Sequence, residues 1–172
     1  GTDYSVLIGE MNSSWESDRE DDDCFREAVQ FAQDVFYRRI NKLAAGFRAL
    51  TIMEKVARES TEIPELLVVP SSVPWKSAIF TLNLPTLFVL YLNDEGVWRV
   101  NCVPESLHSF NNRLSLHPDW AGLSDGDLQA VSGIPDALFV HKNRFTGSAR
   151  SFESARRMAL LSIEHHRAAS GC

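Results

Sequence analysis

Apolar residues recur every three or four positions along the first third of the chain, which is the period of an α-helix. The first run consists of Phe25, Val29, Ala32, Val35 or Phe36, Ile40 and Leu43. Gly46 interrupts this run, and apolar residues with the same period resume from Phe47 to Ala57. The pattern therefore predicts two helices that form an N-terminal helical hairpin.

Short apolar runs bounded by turn-forming residues replace the helical pattern after Ile63. They predict strands at Leu66–Val69, Thr86–Leu92, Val97–Val103 and Ala137–His141. The connection "NDEG" between the second and third has the composition of a hairpin turn, so these two strands are expected to be antiparallel neighbours. In the third strand, alternation places Trp98, Val100 and Cys102 on one face and Arg99 and Asn101 on the other.

Two more helices are predicted in the second half of the chain. The segment "SDGDLQAVSG" is typical of a short helix that ends at Gly133. Ser151 is placed to cap a second helix, whose inward stripe is Phe152, Ala155, Met158 or Ala159, and Ile163. These elements predict an α+β fold, in which a mixed β-sheet with flanking helices over residues 63–172 follows a helical linker or hairpin over residues 1–62.

The composition is that of a globular protein rather than a membrane or disulfide-rich one. Hydrophobic residues make up 44% and charged residues 23% of the 172 positions. No apolar run approaches the roughly 20 residues of a membrane helix. Three widely spaced cysteines form neither a disulfide framework nor a CxxC metal pair, which favours a reducing compartment. The chain begins at Gly1 without an initiator Met, and we expect it to be a piece of a longer protein.

The net charge of −6 hides an asymmetry between the two ends of the chain. Residues 16–27 contain seven acids and two arginines, whereas residues 137–168 contain six bases and two acids. A basic end can attract anions even on an acidic protein, because salt confines each field to about 8 Å. The acidic run Asp21–Asp23 invites a metal-binding interpretation, but consecutive carboxylates at a helix start point in different directions. A solvated helix start is favoured.

The basic segment "HKNRFTGSARS" connects the last predicted strand to the last predicted helix. Such a turn presents backbone N–H groups and the positive end of the helix dipole to an anion. Arg144 and Arg150 add planar donors that fit phosphate oxygens in pairs. The segment matches neither GxxxxGK[ST] nor GxGxxG, and Gly and Ser also occur in ordinary turns. On residue chemistry alone, phosphate binding and a purely geometric turn are both open, as are a ligand and a half-buried structural role for His141.

Two other segments, "PWK" (Pro74–Lys76) and "SFNNR" (Ser109–Arg113), pair an aromatic residue with a base. Such a pair can stack a nucleobase and hold its phosphate. It can equally lay the stem of a basic side chain over a core aromatic. The five histidines stand in no metal motif, and no nucleophile motif such as GxSxG is present. The sequence therefore predicts neither a metal ligand nor a catalytic residue in this chain.

A series of segments, in this order, resembles one known family. The segments are "PWK", "FVLY", "WRVNCVP", "SFNNRLSLHPDWAGLSDGDLQAVSGIPDALFVH" and "RFTGSARSFESARRMA", with "MNSSWESD" and an acidic, aromatic helix upstream. From about Leu7 to Met158, their order and spacing resemble the C-terminal half of the melanocyte-proliferating-gene exonuclease family. The combination of "WRVNCVP" with "VSGIP…FVH" is quite specific to that family.

The resemblance implies a two-part protein related to the DHH phosphoesterases. A catalytic N-terminal domain would bind divalent manganese or magnesium, and a DHH-associated-like domain would hold the substrate across a cleft. The activity attributed to the family is that of a 3′-to-5′ RNA exonuclease in mitochondria and the nucleus. Catalytic motifs of the GTHDG and FHxDE kind are absent, and "GTD" at Gly1 is not a remnant of one. The resemblance thus implies a substrate-side half that binds no cofactor itself and does not hydrolyse RNA alone.

Matching positions in the family segments also imply a set of substrate-binding residues. They are Lys76, Arg99, Arg113, His141, Arg144, Gly147, Ser148 and Arg150. Arg144 and Ser148 depart from the family pattern, because both stand where glycines are usual. If those glycines let the backbone approach a phosphate closely, Arg144 would supply the contact here instead.

We therefore predict a domain that captures single-stranded RNA through its phosphates, with little sequence preference and strong salt dependence. The expected partners are this RNA and the N-terminal DHH-like domain of the same protein, without a membrane, and a homodimer is left open. The alternative is a protein–protein or dimerisation module without RNA contact of its own. A stand-alone hydrolase that uses His141 is the weaker third interpretation.

Overall fold

The computed structural model describes residues 3–60, 62–70 and 73–171. The chain divides into two units, Gly1–Phe47 and Arg48–Cys172. Helix α1 spans Tyr4–Gly9, and helix α2 begins at Asp21 in the first unit and ends at Glu59 in the second. The carboxylates of residues 21–23 are exposed in the first turn of α2, as expected for a solvated helix start.

The two helices predicted for the hairpin are parts of one continuous helix. Helix α2 is a single helix of 39 residues, so the hairpin prediction is wrong. Gly46 lies in the interior of this helix, and apart from its chain neighbours and the nearby helix backbone no described atom lies within 4 Å of the position that a Cβ would take. A glycine lowers helix stability by about 1 kcal/mol relative to alanine, but it keeps its N–H and does not break the hydrogen-bond ladder.

Five strands form one mixed sheet, which confirms the predicted α+β class. They are β1 (Leu66–Val68), β2 (Phe88–Leu92), β3 (Trp98–Cys102), β4 (Ala137–Val140) and β5 (Thr146–Ala149). Their order across the sheet is β1-β2-β3-β5-β4, with β1 parallel to β2 and the other neighbours antiparallel. The predicted β2–β3 hairpin is confirmed, and the Asn93 side chain holds its turn by accepting hydrogen bonds from the Glu95 and Val97 amides.

Strand β5 replaces much of the turn that the sequence predicts between His141 and Ser151. Residues 141–145 form a hairpin turn, and Gly147 and Ser148 lie in the strand that follows. Small residues carry little β signal of their own, so the prediction of a turn at these two positions is wrong. Packing explains the glycine: an added Cβ at Gly147 would lie 3.0 Å from Leu116 Cδ1, Met158 Cε and the Phe139 carbonyl oxygen.

Three helices accompany the sheet: α3 (Trp75–Thr81), α4 (Asp125–Ser132) and α5 (Phe152–Ala169). The sequence predicts α4 and α5 but not α3. Helix α4 ends at Gly133, whose φ of 66° is the left-handed conformation that favours glycine. Helix α5 is capped by Ser151, whose hydroxyl oxygen accepts a hydrogen bond from the Ser154 amide.

The two faces of the sheet pack into separate hydrophobic clusters. Val100 and Cys102 of β3 pack with the apolar stripe of α5, and Trp98 lies against the same cluster. Val89 of β2 and Ile79 of α3 belong to the cluster on the other face. The predicted alternation along β3 is therefore confirmed. Among the described residues, no helix has the length and apolar character required to cross a membrane.

Candidate functional site

A pocket of about 340 Å³ lies beside the C-terminal turns of α5, the segment 112–118 and the β4–β5 turn. Five basic residues line it, and we call it the basic pocket: Arg113, Arg144, His117, His165 and His166. None of the described lining residues is acidic. The pocket therefore brings two arginines and three histidines together on a protein whose net charge is negative.

Arg144 is held at the pocket by its own backbone. The Leu116 amide donates to the Arg144 carbonyl at 3.0 Å, and Arg144 Nη1 donates to the Leu116 carbonyl at 3.2 Å. The φ of Arg144 is 57°, a left-handed conformation that glycine adopts more cheaply. The turn thus requires a backbone conformation that suits the glycine implied here by the family resemblance. Within the described part of the chain, the bond to Leu116 is the one side-chain hydrogen bond of Arg144, so its other guanidinium N–H groups can reach a ligand.

Arg113 has a structural role as well as a place in the pocket. Its Nη1 donates to the carbonyl oxygens of Leu84 at 2.7 Å and Thr86 at 3.0 Å. The guanidinium carbon lies 5.1 Å from the centre of the Phe80 ring. These contacts fix the connection between α3 and β2, so replacement of Arg113 would alter the fold as well as the charge.

His117 stands on the other side of the pocket in a fixed orientation. Its ring stacks on Trp120 at 5.0 Å and lies 4.2 Å from the His165 ring, and its Nδ1 accepts a hydrogen bond from the Asp119 amide. Burial lowers the pKa of His117, and the charges of His165 and Arg144 lower it further, against an opposing effect of Asp119. Because Nδ1 is an acceptor, the neutral ring carries its proton on Nε2, where it can donate to a ligand.

Sequence reasoning missed the three histidines of the pocket. His165 lies three residues after Ser162, and Ser162 lies four residues after Met158; both of these are buried. That spacing places His165 on the same face of α5 as the core residues, a signal present in the sequence. His117 carries no comparable signal, because its place depends on the segment 112–118.

Six of the eight predicted substrate-binding residues lie outside the pocket, among them Lys76, Arg99 and Arg150. Lys76 is exposed on α3, and its Nζ lies 5.7 Å from the centre of the buried Trp75 ring, as expected for a lysine stem over a core aromatic. Arg99 lies on the face of β3 opposite to the side chains that pack on α5. Arg150 is exposed between β5 and α5. The structure brings only Arg113 and Arg144 of the predicted set into the basic pocket.

The start of α5 holds a carboxylate of the protein itself. The Ser151 amide donates to Asp136 Oδ2 at 2.8 Å, and the Arg150 amide donates to the Asp136 carbonyl at 3.1 Å. Burial alone would raise the pKa of Asp136, but the Ser154 and Ser151 hydroxyls and the Ser151 amide outweigh it, and the pKa is lowered. An internal anion thus stands at the helix start where the family resemblance implies a phosphate.

His141 supports the turn between β4 and β5. Its Nδ1 accepts a hydrogen bond from the Asn143 amide at 3.1 Å, and its half-buried ring lies 4.5 Å from the Phe145 ring. These contacts fit the structural alternative, and the role of His141 as a phosphate ligand stays a prediction.

Metal ligation and thiol chemistry find no support in the described residues. No group of three or more His, Cys, Asp or Glu side chains that could hold a metal ion occurs among them. Cys102 is buried beside the pocket, and burial raises the pKa of its thiol to about 12. A thiol with this pKa stays protonated and unreactive at neutral pH.

Comparison with known proteins matches the chain to one family. The MYG1_exonuc family model, described as "Uncharacterised protein family (UPF0160)", matches residues 1–163. The rat MYG1 exonuclease is 36% identical over 177 residues, which cover 94% of this chain and 46% of the rat protein. The human MYG1 exonuclease is 34% identical, with the same coverage of the two chains.

A more distant relative, the MYG1 protein of Dictyostelium discoideum, is 29% identical over 95% of this chain and 54% of its own length. The chain thus spans about half the length of the curated relatives that it matches. No solved structure matches it significantly.

Proposed function

Because this chain belongs to the MYG1 exonuclease family, we propose that it is the substrate-binding part of an RNA exonuclease and that its basic pocket holds phosphates of single-stranded RNA. The convergence of two arginines and three histidines on one pocket, with no acid among the described lining residues, is the observation that carries this proposal. Positively charged groups in a pocket attract a phosphodiester and repel a cationic ligand.

Arg144 and His117 are the groups best placed to bind the phosphate. The free edge of the Arg144 guanidinium can donate two parallel hydrogen bonds to phosphate oxygens. His117 can donate from Nε2, and an anion in the pocket would favour its protonated form, which carries a second positive charge. Arg113 contributes charge from a fixed position, since its Nη1 is already bonded to backbone carbonyls.

Hydrolysis in this proposal belongs to the part of the family's proteins that this chain does not cover. A DHH-like domain with manganese or magnesium would supply the chemistry, and the present chain would orient the RNA toward it. We extend the proposal to 3′-to-5′ action in mitochondria or the nucleus, as the family resemblance implies. The support for these points is the resemblance of the motifs together with the half-length match to proteins named exonucleases.

Equilibrium binding of a fluorescein-labelled, roughly 10-nucleotide single-stranded RNA tests the proposal directly. We expect anisotropy to show binding at low salt, with affinity falling linearly against salt on logarithmic axes and little difference between base sequences. Arg144→Gln should weaken binding about tenfold, because it removes a charge-assisted bidentate contact. The double substitution of His165 and His166 by Gln should also weaken it.

Arg150→Gln is the matched control, because Arg150 is an exposed arginine six residues away that does not line the pocket. Unchanged binding by this variant, together with the loss in Arg144→Gln, would assign the site to the pocket rather than to the start of α5. No RNA binding at low salt would contradict the proposal and favour a protein-interaction module. Phosphodiesterase activity that survives a chelator would contradict the assignment of this chain to substrate binding alone.

A further inference from the structure

Helix α2 carries an exposed apolar stripe that the proposed function leaves unexplained. Its inner positions are Val29, Ala32, Phe36, Ile40 and Leu43, and Phe25 extends it toward the N-terminus of the helix. All of them except the half-buried Ala32 are exposed. Helix α1 packs on a different side, where the Tyr4 ring stacks on Phe31 at 5.9 Å. Soluble proteins seldom leave so long an apolar stripe in water unless it binds a partner.

The spacing of this stripe is the same in both directions from Phe36. Ala32 and Ile40 lie four residues from it on either side, and Val29 and Leu43 lie seven residues from it. An antiparallel copy of the helix centred on Phe36 therefore places Val29 opposite Leu43 and Ala32 opposite Ile40, each small side chain against a larger one. Such self-complementarity is what a two-fold symmetric interface requires.

The charges along α2 select the same orientation. Residues 21–34 contain five acids and one arginine, whereas residues 35–48 contain four bases and no acid. An antiparallel pair brings the acidic half of each helix against the basic half of the other, while a parallel pair would bring like charges together.

We propose that two copies of this chain associate through an antiparallel pairing of their α2 helices, with the two-fold axis at Phe36. The apolar stripe forms the core of the interface, and the opposite charges of the helix halves fix its direction. The residues of this interface differ from those of the basic pocket, which is formed by residues 112–169.

Light scattering coupled to size-exclusion chromatography tests the association in the full 172-residue chain. We expect a mass of about twice the 19.3 kDa of one chain at tens of micromolar protein. Phe36→Glu should raise the dissociation constant at least about 100-fold, because both copies place the new charge at the centre of the interface. Asn41→Glu is the control, because Asn41 is exposed but lies about 140° from Phe36 around the helix. A monomeric chain, or a dimer that Phe36→Glu leaves intact, would overturn the proposal.

Disulfide trapping tests the direction of pairing, with Cys172 replaced by Ser and the buried Cys24 and Cys102 retained. A mixture of Val29→Cys and Leu43→Cys chains should form a covalent heterodimer. Neither variant alone should form a covalent dimer at a comparable rate. Rapid self-linking of Val29→Cys would overturn the antiparallel arrangement, and circular dichroism of each variant confirms that α2 is retained.

Discussion

The Ser151 amide donates a hydrogen bond of 2.8 Å to Asp136 Oδ2, which places a carboxylate of the protein at the N-terminus of α5. Asp136 just precedes β4 and Ser151 caps the helix after β5, so this bond ties the two ends of the β4–β5 hairpin together. The lowered pKa of Asp136 shows that these hydrogen bonds favour the ionised carboxylate. The helix start is thus stabilised from within and does not depend on a bound phosphate.

Asp136→Ala should lower the free energy of unfolding by about 1–3 kcal/mol, because it leaves the Ser151 amide without its charged acceptor. Since the pKa of Asp136 is lowered in the folded protein, its stabilisation is present above the unfolded-state pKa of about 3.9 and is lost as the pH falls through the folded-state value. Urea unfolding of the wild type and of Asp136→Asn over a series of pH values measures this loss, because the two free energies of unfolding should approach each other as the pH falls. Glu153→Gln, which changes an exposed acid in the first turn of α5, should lower stability by no more than about 0.5 kcal/mol. If Asp136→Asn and Glu153→Gln lower the free energy of unfolding equally, Asp136 contributes through its charge alone.

Arg144 allows its backbone and side chain to be tested separately. Both Arg144→Gly and Arg144→Ala remove the guanidinium, but only glycine adopts a φ of 57° without a steric cost. We expect Arg144→Gly to be more stable than Arg144→Ala by about 1 kcal/mol in urea unfolding. The two variants should lose RNA affinity to the same extent. Binding retained by Arg144→Gly would instead support a close approach of the backbone to the phosphate.

Gly147→Ala should lower the free energy of unfolding by about 1–3 kcal/mol, because the new methyl group has no space. It would lie 3.0 Å from Leu116 Cδ1 and Met158 Cε, which can shift, and 3.0 Å from the Phe139 carbonyl oxygen, which is fixed in β4. Gly126→Ala is the control, since Gly126 lies in α4 with nothing within 4 Å of an added Cβ. Thermal unfolding of the two variants compares them, and a neutral Gly147→Ala would show that β5 and α5 are less tightly packed.

The continuity of α2 can be tested at Gly46, where the apolar pattern predicts a break between two helices. Gly46→Ala should raise helix stability by about 0.5–1 kcal/mol, and Gly46→Pro should lower it by about 3 kcal/mol or more. The reverse change at the preceding position, Ala45→Gly, is the matched control and should lower stability by about 1 kcal/mol. Circular dichroism during thermal unfolding measures all three. A tolerated proline would support the hairpin and contradict a continuous helix.

Local patterns predicted most of the fold because the elements concerned are strongly periodic. The alternation of β3, the "NDEG" turn and the stripe of α5 each express a period that burial imposes. Strand β5 could not be predicted in this way. Its residues are small because Gly147 must fit against Met158 and Leu116, a requirement that comes from tertiary packing alone.

The site was predictable only where charge and chain position coincide. Arg144 and Arg113 attract notice as arginines in distinctive segments, and both line the basic pocket. His117 comes to the pocket through hydrogen bonding of its amide to Ser162, 45 residues away in the sequence. Contacts of this range leave no local pattern, and fixed spacing cannot reveal them.

Titration of His117 should give stability and RNA affinity opposite dependences on pH. Burial and the neighbouring charges of His165 and Arg144 lower its pKa in the folded protein, against the opposing charge of Asp119. His117 therefore binds a proton more weakly in the folded chain than in the unfolded chain. The free energy of unfolding should fall as the pH drops below about 6.5 and should level off below the folded-state pKa of His117. A phosphate in the pocket would raise the pKa of His117, so RNA affinity should increase as the pH falls over the same range. Urea unfolding and RNA anisotropy between pH 5 and pH 8 measure the two trends, and His117→Gln should reduce both slopes. An RNA affinity whose pH dependence is unchanged in His117→Gln would show that His117 does not contact the phosphate.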